Sequence, residues 1–287
     1  MSDTINAMDA GGNTTAAEPI GQPLDVPNYR IRKIDGAVPW TWLERGYKDL
    51  RDSRFLGCAH GAWYAILGFA LTTLLWWYDI LYISLPLAAT FTLIGPLAAV
   101  GIYEISKDLG EGKKPSLGRS LAAWLANPTQ ISLIGVALLL IALAWMNIAL
   151  LMFMLFFSDN PPGPEAALML DALVSAEGVP LLVAGVVVGG GLAFVAFAIS
   201  AVSIPYLLDR PEQHVFQAIF VSVRAVRENL WPMTIWAVLI AVALAAGLAT
   251  AYVGLIFTVP MIGHATWHAY KDLVEHIEPA AEPAAAP

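Results

Sequence analysis

Three long stretches of the chain contain no lysine or arginine, and they constrain the fold more than any other feature. They cover residues 55–106, 120–209 and 228–270, and each is rich in apolar residues. A hydrocarbon core about 30 Å thick needs about 20 apolar residues in helical form to cross it. Each stretch is therefore long enough for two membrane-spanning helices. Only 13% of the residues are charged, against about 25% in a typical soluble domain, which indicates lipid as the main solvent.

Turn-forming or interfacial sequences divide each stretch in two. An aromatic cluster beside an acid, residues 76–79, divides the first, and a proline-rich segment, residues 158–164, divides the second. The third could be one long tilted helix, but its length favours two spans with a tight turn near residues 247–252. The predicted spans lie near 55–77, 80–106, 129–157, 179–207, 231–250 and 252–270.

The basic residues indicate how these spans are oriented. All 15 lysines and arginines fall before the first predicted span, after the sixth, or in the two loops on the same side. The opposite loop, residues 158–178, has four acids and no base. By the positive-inside rule, both termini are cytoplasmic and the chain is a multi-pass protein of the inner membrane. We expect one transmembrane domain over residues 29–275, between disordered tails at 1–28 and 276–287.

An amphipathic helix is predicted ahead of each hairpin, on the cytoplasmic surface of the membrane. Apolar residues recur at three- and four-residue spacing in each case, and the third helix is expected to begin within Asp209–Glu212. The fold class is therefore all-α, with six spans arranged as three hairpins. The apolar stripes are Trp40, Leu43, Tyr47 and Leu50; Leu117, Leu121 and Trp124; and Phe216, Ile219, Val223 and Val226, with Trp40, Tyr47, Trp124 and Phe216 as interfacial anchors.

A local repeat accompanies this arrangement. Pro96 is followed eleven residues later by Lys107-Asp108-Leu109, and Pro260 eleven residues later by Lys271-Asp272-Leu273. The middle hairpin shares the layout but not this spacing. The pattern indicates an internal duplication, although shared interface chemistry could also produce it.

Small residues and prolines inside the spans predict helix packing and kinks. Gly185 and Gly189 are four residues apart, which is typical of a surface for close helix approach in lipid. The prolines expected to kink their helices are Pro86, Pro96, Pro205 and Pro260.

Four ionisable side chains at similar depth form the candidate site. They are His60, Glu104, His264 and His268, from three predicted spans, and each is costly to place in a membrane. His264 and His268 are one helical turn apart, so a metal site could use this pair with His60 or Glu104. A proton- or solute-binding vestibule is a second possibility. Mutual hydrogen bonding of interfacial polar groups is the third.

Three segments of the chain resemble a known family. They are residues 95–104 (GPLAAVGIYE), residues 196–210 (AFAISAVSIPYLLDR) followed by 222–229 (SVRAVREN), and residues 260–270 (PMIGHATWHAY). The chain resembles the bacterial integral membrane proteins called domain of unknown function 2189 over about residues 30 to 275. This resemblance implies a Gram-negative inner membrane and no particular chemistry.

No segment carries a nucleotide-binding, nucleophile or firm metal motif, so we predict a protein that is not an enzyme and has no cofactor. The first hypothesis is a scaffold, assembly factor or accessory subunit of a membrane complex. The alternatives are a small-solute or ion transporter or channel, and a metal-binding membrane protein. The expected partners are the lipid bilayer and other membrane proteins, and nucleic acid is not expected.

Overall fold

The structure, a computed structural model, describes residues 29–53, 55–159 and 175–277. The chain divides into two units, one made of residues 1–30 and 276–287 and the other of residues 31–275. The candidate site lies within the second unit. The predicted disorder of the tails and most of the loop at 158–178 fall outside the described residues.

The described chain is an all-α bundle, as predicted. Two short strands, β1 (Tyr29–Ile31) and β2 (Val274–His276), form a two-stranded sheet. The helices are α1 (Val38–Asp52), α2 (Phe55–Trp77), α3 (Ser84–Ala98), α4 (Val100–Gly110), α5 (Leu117–Ala122), α6 (Pro128–Phe156), α7 (Gly178–Ser200), α8 (Ser203–Asp209), α9 (Val215–Glu228), α10 (Leu230–Ala249) and α11 (Leu255–Leu273).

Five segments of the described residues are long and apolar enough to cross a membrane. They are Leu56–Trp77, Ser84–Gly110, Pro128–Phe156, Gly178–Asp209 and Leu230–Ala249. Helix α11 is not among them, and its second half carries His264, His268, Lys271 and Asp272. The sixth span therefore stays a prediction.

Large apolar side chains cover the outside of the long helices. Leu151 on α6 is 67% exposed and Val186 on α7 is 72% exposed, and many apolar side chains near them are also exposed. Water solvates such continuous apolar faces poorly, and hydrocarbon solvates them well. These helix faces are the expected contact with lipid.

Two of the predicted spans are each broken into two helices close to a proline. The predicted span 80–106 is α3 followed by α4, with the break at Ala99 just after Pro96. The predicted span 179–207 is α7 followed by α8, with the break just before Pro205. Proline has no amide hydrogen to donate to the carbonyl four residues earlier, which weakens the helix there. Pro260 differs, because it lies inside α11 without dividing it.

The predicted amphipathic segments are helical, with one wrong boundary. Helix α9 begins at Val215, so the expected start within Asp209–Glu212 is wrong: Asp209 ends α8 and residues 210–214 form a turn. The four predicted anchors, Trp40, Tyr47, Trp124 and Phe216, are all exposed, and Phe216 is 85% exposed. Their placement in a membrane interface stays a prediction.

Helix α1 does more than expose an apolar stripe, because its opposite side packs against α11. Trp42 and Gly46 are buried on that side, and Leu50, which was predicted to belong to the exposed apolar stripe, is buried there as well. A methyl group at Gly46 would lie 2.7 Å from the carbonyl oxygen of Met261 and 2.8 Å from the amide nitrogen of Ala265. Glycine therefore allows the two helices to approach closely.

We expect Gly46→Ala to lower the free energy of unfolding by about 1–3 kcal/mol, because the added methyl overpacks the contact between α1 and α11. Denaturant or thermal unfolding of the purified protein in mild detergent measures this. Gly110→Ala is the matched control, since a methyl there meets nothing within 4 Å among the described residues. Equal effects of the two substitutions would contradict the expected close approach.

Candidate functional site: a polar layer around helix α11

Helices α4, α8 and α11 contact one another, and polar side chains connect them to α1 and α5. Within these helices many residues are almost completely buried, including Ile102, Ile204 and Ala265. We call the connecting side chains the polar layer. Its members are Trp42, Arg45, Asp49, Ser106, Lys107, Asp108, Arg119, Asp209, His264, His268, Tyr270, Lys271 and Asp272.

The Asp49 carboxylate joins α1 to α4 and α11. The Ser106 hydroxyl donates to Oδ2 of Asp49 at 2.8 Å, and Nε2 of His268 lies 2.9 Å from the same oxygen. Nδ1 of His264 lies 2.7 Å from the Ser106 oxygen. Because the Ser106 hydrogen goes to Asp49, these bonds require His264 to donate from Nδ1 and His268 to donate from Nε2.

The other ring nitrogen of His264 has no hydrogen-bond partner in the described part of the chain. His264 is fully buried, and its Nε2 is without a partner. Gly57 lies beside this atom, where a methyl group would be 3.1 Å from Nε2. An unpaired buried acceptor is costly, and the Nδ1 bond to Ser106 holds the ring in this position.

The surroundings of Asp49 favour its charged form. Burial alone would raise the pKa of this carboxyl group, but hydrogen bonds from His268 and Ser106, together with the nearby imidazoles, outweigh burial and hold the pKa below its usual value. The side chain of Asp49 is 13% exposed. A charged carboxylate is thus accommodated inside the protein because donors from two other helices meet it.

The last turn of α11 extends the polar layer to both sides. Asp272 accepts a hydrogen bond from Nε1 of Trp42 at 2.8 Å and forms an ion pair with Arg45, both from α1. On the other side, Tyr270 donates to Asp209 at 2.6 Å, and Lys271 lies 3.2 Å from the same oxygen. Helix α11 is therefore connected to both α1 and α8.

The two Lys-Asp-Leu segments occupy equivalent places in this layer. Asp108 pairs with Arg119 of α5 at 2.9 Å, as Asp272 pairs with Arg45 of α1. Lys107 donates to the carbonyl of Leu208 at 3.1 Å, as Lys271 pairs with the adjacent Asp209. The predicted local repeat thus coincides with repeated contacts in space.

The repeat also includes α8 and α9, which the sequence spacing did not show. Ser120 on α5 donates to the carbonyl of Gly101, seven residues before Asp108. Ser222 on α9 accepts from the amide of Val202, seven residues before Asp209. Gly46 on α1 lies against Ala265, seven residues before Asp272. We call these three contacts, α1 with α11, α5 with α4 and α9 with α8, the three joints.

Two of the four predicted site residues are brought together and two are not. His264 and His268 share the network with Asp49, whereas Nε2 of His60 lies 2.9 Å from the Ser120 hydroxyl at a different joint. Glu104 is half-buried and makes no hydrogen bond or ion pair with the described residues. Asp49 and Ser106 complete the network, and the sequence patterns did not indicate either.

Metal binding by these groups was an alternative drawn from the sequence. Within residues 29–53, 55–159 and 175–277, no three histidine, cysteine, aspartate or glutamate side chains are arranged as metal ligands. Nδ1 of His264 and Nε2 of His268 are both engaged in hydrogen bonds. The arrangement can accommodate the charge of Asp49 and connect α1, α4 and α11 through hydrogen bonds.

The predicted glycine surface is only partly a packing surface. A methyl at Gly189 would lie 2.8 Å from the ring of Trp145 on α6, so this glycine allows the close approach of α6 and α7. At Gly185 nothing among the described residues lies within 4 Å, and the expected packing is absent there. The two helices are closely packed at one glycine and open at the other.

Comparison with known proteins agrees with the resemblance drawn from the sequence. Residues 84–209 match the family described as predicted integral membrane protein (DUF2189). This match covers α3 to α8 and includes two of the three inner helices of the polar layer. No curated protein and no solved structure matches the chain.

Replacing Asp49 by asparagine keeps the size of the side chain and removes the charge that accepts bonds from Ser106 and His268. We expect Asp49→Asn to lower the free energy of unfolding at pH 7 by about 1–3 kcal/mol. Unfolding in mild detergent measures the change. The matched control is Glu44→Gln, an exposed carboxylate on the same helix, which is expected to change stability by less than about 0.5 kcal/mol.

The same pair of proteins gives a pH dependence. Because the folded-state pKa of Asp49 is lowered, its contribution is fully present above the unfolded value, about pH 4, and is lost as pH falls through the lowered pKa. We expect the stability difference between wild type and Asp49→Asn to persist from pH 7 to about pH 5 and to shrink below about pH 4. A difference that stays constant to pH 3 would contradict the assignment of a charged Asp49.

Proposed function

We propose that this integral membrane protein is a non-enzymatic scaffold, assembly factor or accessory subunit of a bacterial inner-membrane complex. One observation supports this more than any other: hydrogen bonds and ion pairs join five of the described helices in the polar layer, at the end where the basic residues lie. A firmly held surface at one end of a membrane bundle suits the docking of a partner protein.

The ion pairs across the layer support a rigid docking surface. Arg45 with Asp272, Arg119 with Asp108 and Lys271 with Asp209 each join different helices. Isolated surface pairs contribute little to stability, but a network that joins several helices restricts their relative motion. Other charged groups are exposed and available to a partner, such as Glu44 and Lys48 on α1. Exposed charges of this kind affect partner choice and association rate.

We place this surface on the cytoplasmic side, with both termini cytoplasmic. The support is the distribution of lysine and arginine along the chain, which follows the positive-inside rule. On this side α1, α5 and α9 would lie at the membrane surface with Trp40, Tyr47, Trp124 and Phe216 towards lipid. The partners we propose are the bilayer and other membrane proteins, without nucleic acid, cofactor or catalysis.

The transporter alternative is less well supported. It depends on a water-accessible cavity that reaches His60, Glu104, His264 and His268. The cavity among α2, α3, α7, α10 and α11 is lined by other residues, and its lining is mainly apolar. The three histidines instead hydrogen-bond to Ser106, Ser120 and Asp49. The metal-binding alternative has only the pair His264 and His268 in its favour.

Site-specific cross-linking tests the docking surface and its sidedness together. Cys58 is the only cysteine, so Cys58→Ser provides a background without thiols. Lys48→Cys then places a thiol on the exposed face of α1, and Ser158→Cys places one after α6, on the opposite side. A membrane-impermeant thiol cross-linker is applied to inverted inner-membrane vesicles from cells that express each variant at its natural level.

We expect a discrete cross-linked protein from Lys48→Cys and no cross-link from Ser158→Cys, with the partner identified by mass spectrometry. Reaction of Ser158→Cys but not Lys48→Cys in these vesicles would contradict the orientation. Labelling of Lys48→Cys without any protein cross-link, together with purification only as a free monomer in gentle detergent, would contradict the scaffold role.

A further inference from the structure

An elongated cavity of about 640 Å³ lies among α2, α3, α7, α10 and α11. On α2 its lining extends from Tyr64 to Leu75, and on α10 from Thr234 to Leu248. At 1.5 Å per helical residue, these distances are about 17 Å and about 21 Å. The cavity therefore runs along the helices for more than half of the thickness of a hydrocarbon core, which is about 30 Å.

The lining offers hydrocarbon surface and few free polar atoms. Most lining hydroxyl groups already donate within the chain. Tyr64 donates to the carbonyl of Ala98 at 2.7 Å, and Tyr252 is hydrogen-bonded to Thr72. The others that bond internally are Thr92, Ser200, Thr234 and Thr266, each to a carbonyl four residues earlier on its own helix. A cavity of this kind does not hold ordered water well.

Tyr103 is different from these residues. It lines the cavity, is 2% exposed, and its hydroxyl has no hydrogen-bond partner among the described residues. Ser84 also lines the cavity without such a partner, but it is only half-buried, at the far end of the same span, where solvent can reach it. Tyr103 thus provides an unused donor at the end of the cavity nearest the polar layer.

The cavity has an opening towards lipid between α7 and α10. Val186 on α7 and Val238 on α10 both line it, and they are 72% and 54% exposed. At the other end packed side chains, including His264 of the polar layer and the neighbouring Ile102, close the bundle. A molecule dissolved in the bilayer can therefore enter sideways, and a large charged headgroup has no exit beyond Tyr103.

We propose that this cavity binds one long-chain, uncharged lipid-like molecule, with the hydrocarbon chain between α7 and α10 and a carbonyl oxygen accepting a hydrogen bond from Tyr103. An isoprenoid quinone and an acyl ester of a neutral lipid share this chemistry. The length of the cavity matches an extended hydrocarbon chain, and its apolar wall solvates that chain. The closed end of the cavity admits a small polar group. The volume lies within the range of about 300–1,000 Å³ common for ligand sites.

Photolabelling of the intact protein in nanodiscs tests the proposal directly. Two probes are used, an isoprenoid benzoquinone and a diacylglycerol, each with a diazirine on its chain. We expect labelled peptides to carry the probe on the inner side of α7 and α10, at residues such as Phe194 and Ala241, rather than at Val187 and Val195 on the outer face. The probe that competes with the other at lower concentration identifies the source of the natural ligand.

Two adjacent glycines provide a matched pair of variants. Gly190 lines the cavity and Gly191 does not, and a methyl at either position meets nothing within 4 Å among the described residues. We expect Gly190→Phe to fill the cavity and reduce labelling at Phe194 at least about 5-fold. Gly191→Phe, which points away, is expected to label like wild type.

Tyr103→Phe tests the polar end. Loss of one hydrogen bond is expected to weaken binding of both carbonyl probes about 2- to 10-fold and to leave labelling by a diazirine-bearing alkane unchanged. Equal labelling of the inner and outer faces of α7 in the wild-type protein would overturn the proposal. So would Gly190→Phe labelling like Gly191→Phe. These outcomes are independent of whether a partner protein is cross-linked to α1.

Discussion

The close contact between α1 and α11 determines how the polar side chains of this protein can be buried. Gly46 allows the backbones to approach, and this approach brings Asp49 within hydrogen-bonding distance of His268 and of Ser106 on α4. A buried carboxylate without such donors would be costly, by several kcal/mol. Because the donors are present, the polar second half of α11 can be buried in a protein whose other long helices are almost wholly apolar.

A similar contact occurs at each of the three joints, and together these joints connect the helices of the polar layer. Two joints place a helix against the one before it, α5 on α4 and α9 on α8, and α1 closes the series on α11. Two joints carry an arginine–aspartate pair. At the third joint, between α9 and α8, Val221 occupies the position that Arg119 has in the joint between α5 and α4. Asp209 instead accepts a hydrogen bond from Tyr270 and pairs with Lys271. The polar layer is tightly packed at this end, and the apolar cavity lies among the helices beyond it.

Much of this fold could be predicted from the sequence, because hydrophobic length and helical periodicity are local properties. The first predicted span lies within a residue of α2, and the third lies within a residue of α6. The breaks at residues 99 and 201–202 were not foreseen, since a proline in a sequence indicates a kink and not whether the helix ends. The helix start placed at Asp209 followed a capping pattern that the turn at residues 210–214 overrides.

The candidate site was less predictable, because depth along a helix does not specify which face meets which neighbour. Glu104 and His268 are each four residues before the aspartate of a Lys-Asp-Leu segment, so they occupy equivalent positions on different inner helices. This explains their similar depth and their separate surroundings. Asp49 is a charged residue on an amphipathic helix, a type that is usually expected on the solvent-facing side. Its spacing from Trp42 and Gly46, seven and three residues earlier, puts it on the face that packs against α11.

A double-mutant cycle between Asp49 and His268 measures how strongly this carboxylate couples α1 to α11. Unfolding free energies are measured in detergent for wild type, Asp49→Asn, His268→Gln and the double variant, with Asp49→Asn and His60→Gln as the comparison cycle. We expect a coupling energy of about 0.5–3 kcal/mol for the first pair and a clearly smaller one for the second. Additive effects for Asp49 and His268, within about 0.3 kcal/mol, would contradict the claim that this carboxylate holds α1 on α11.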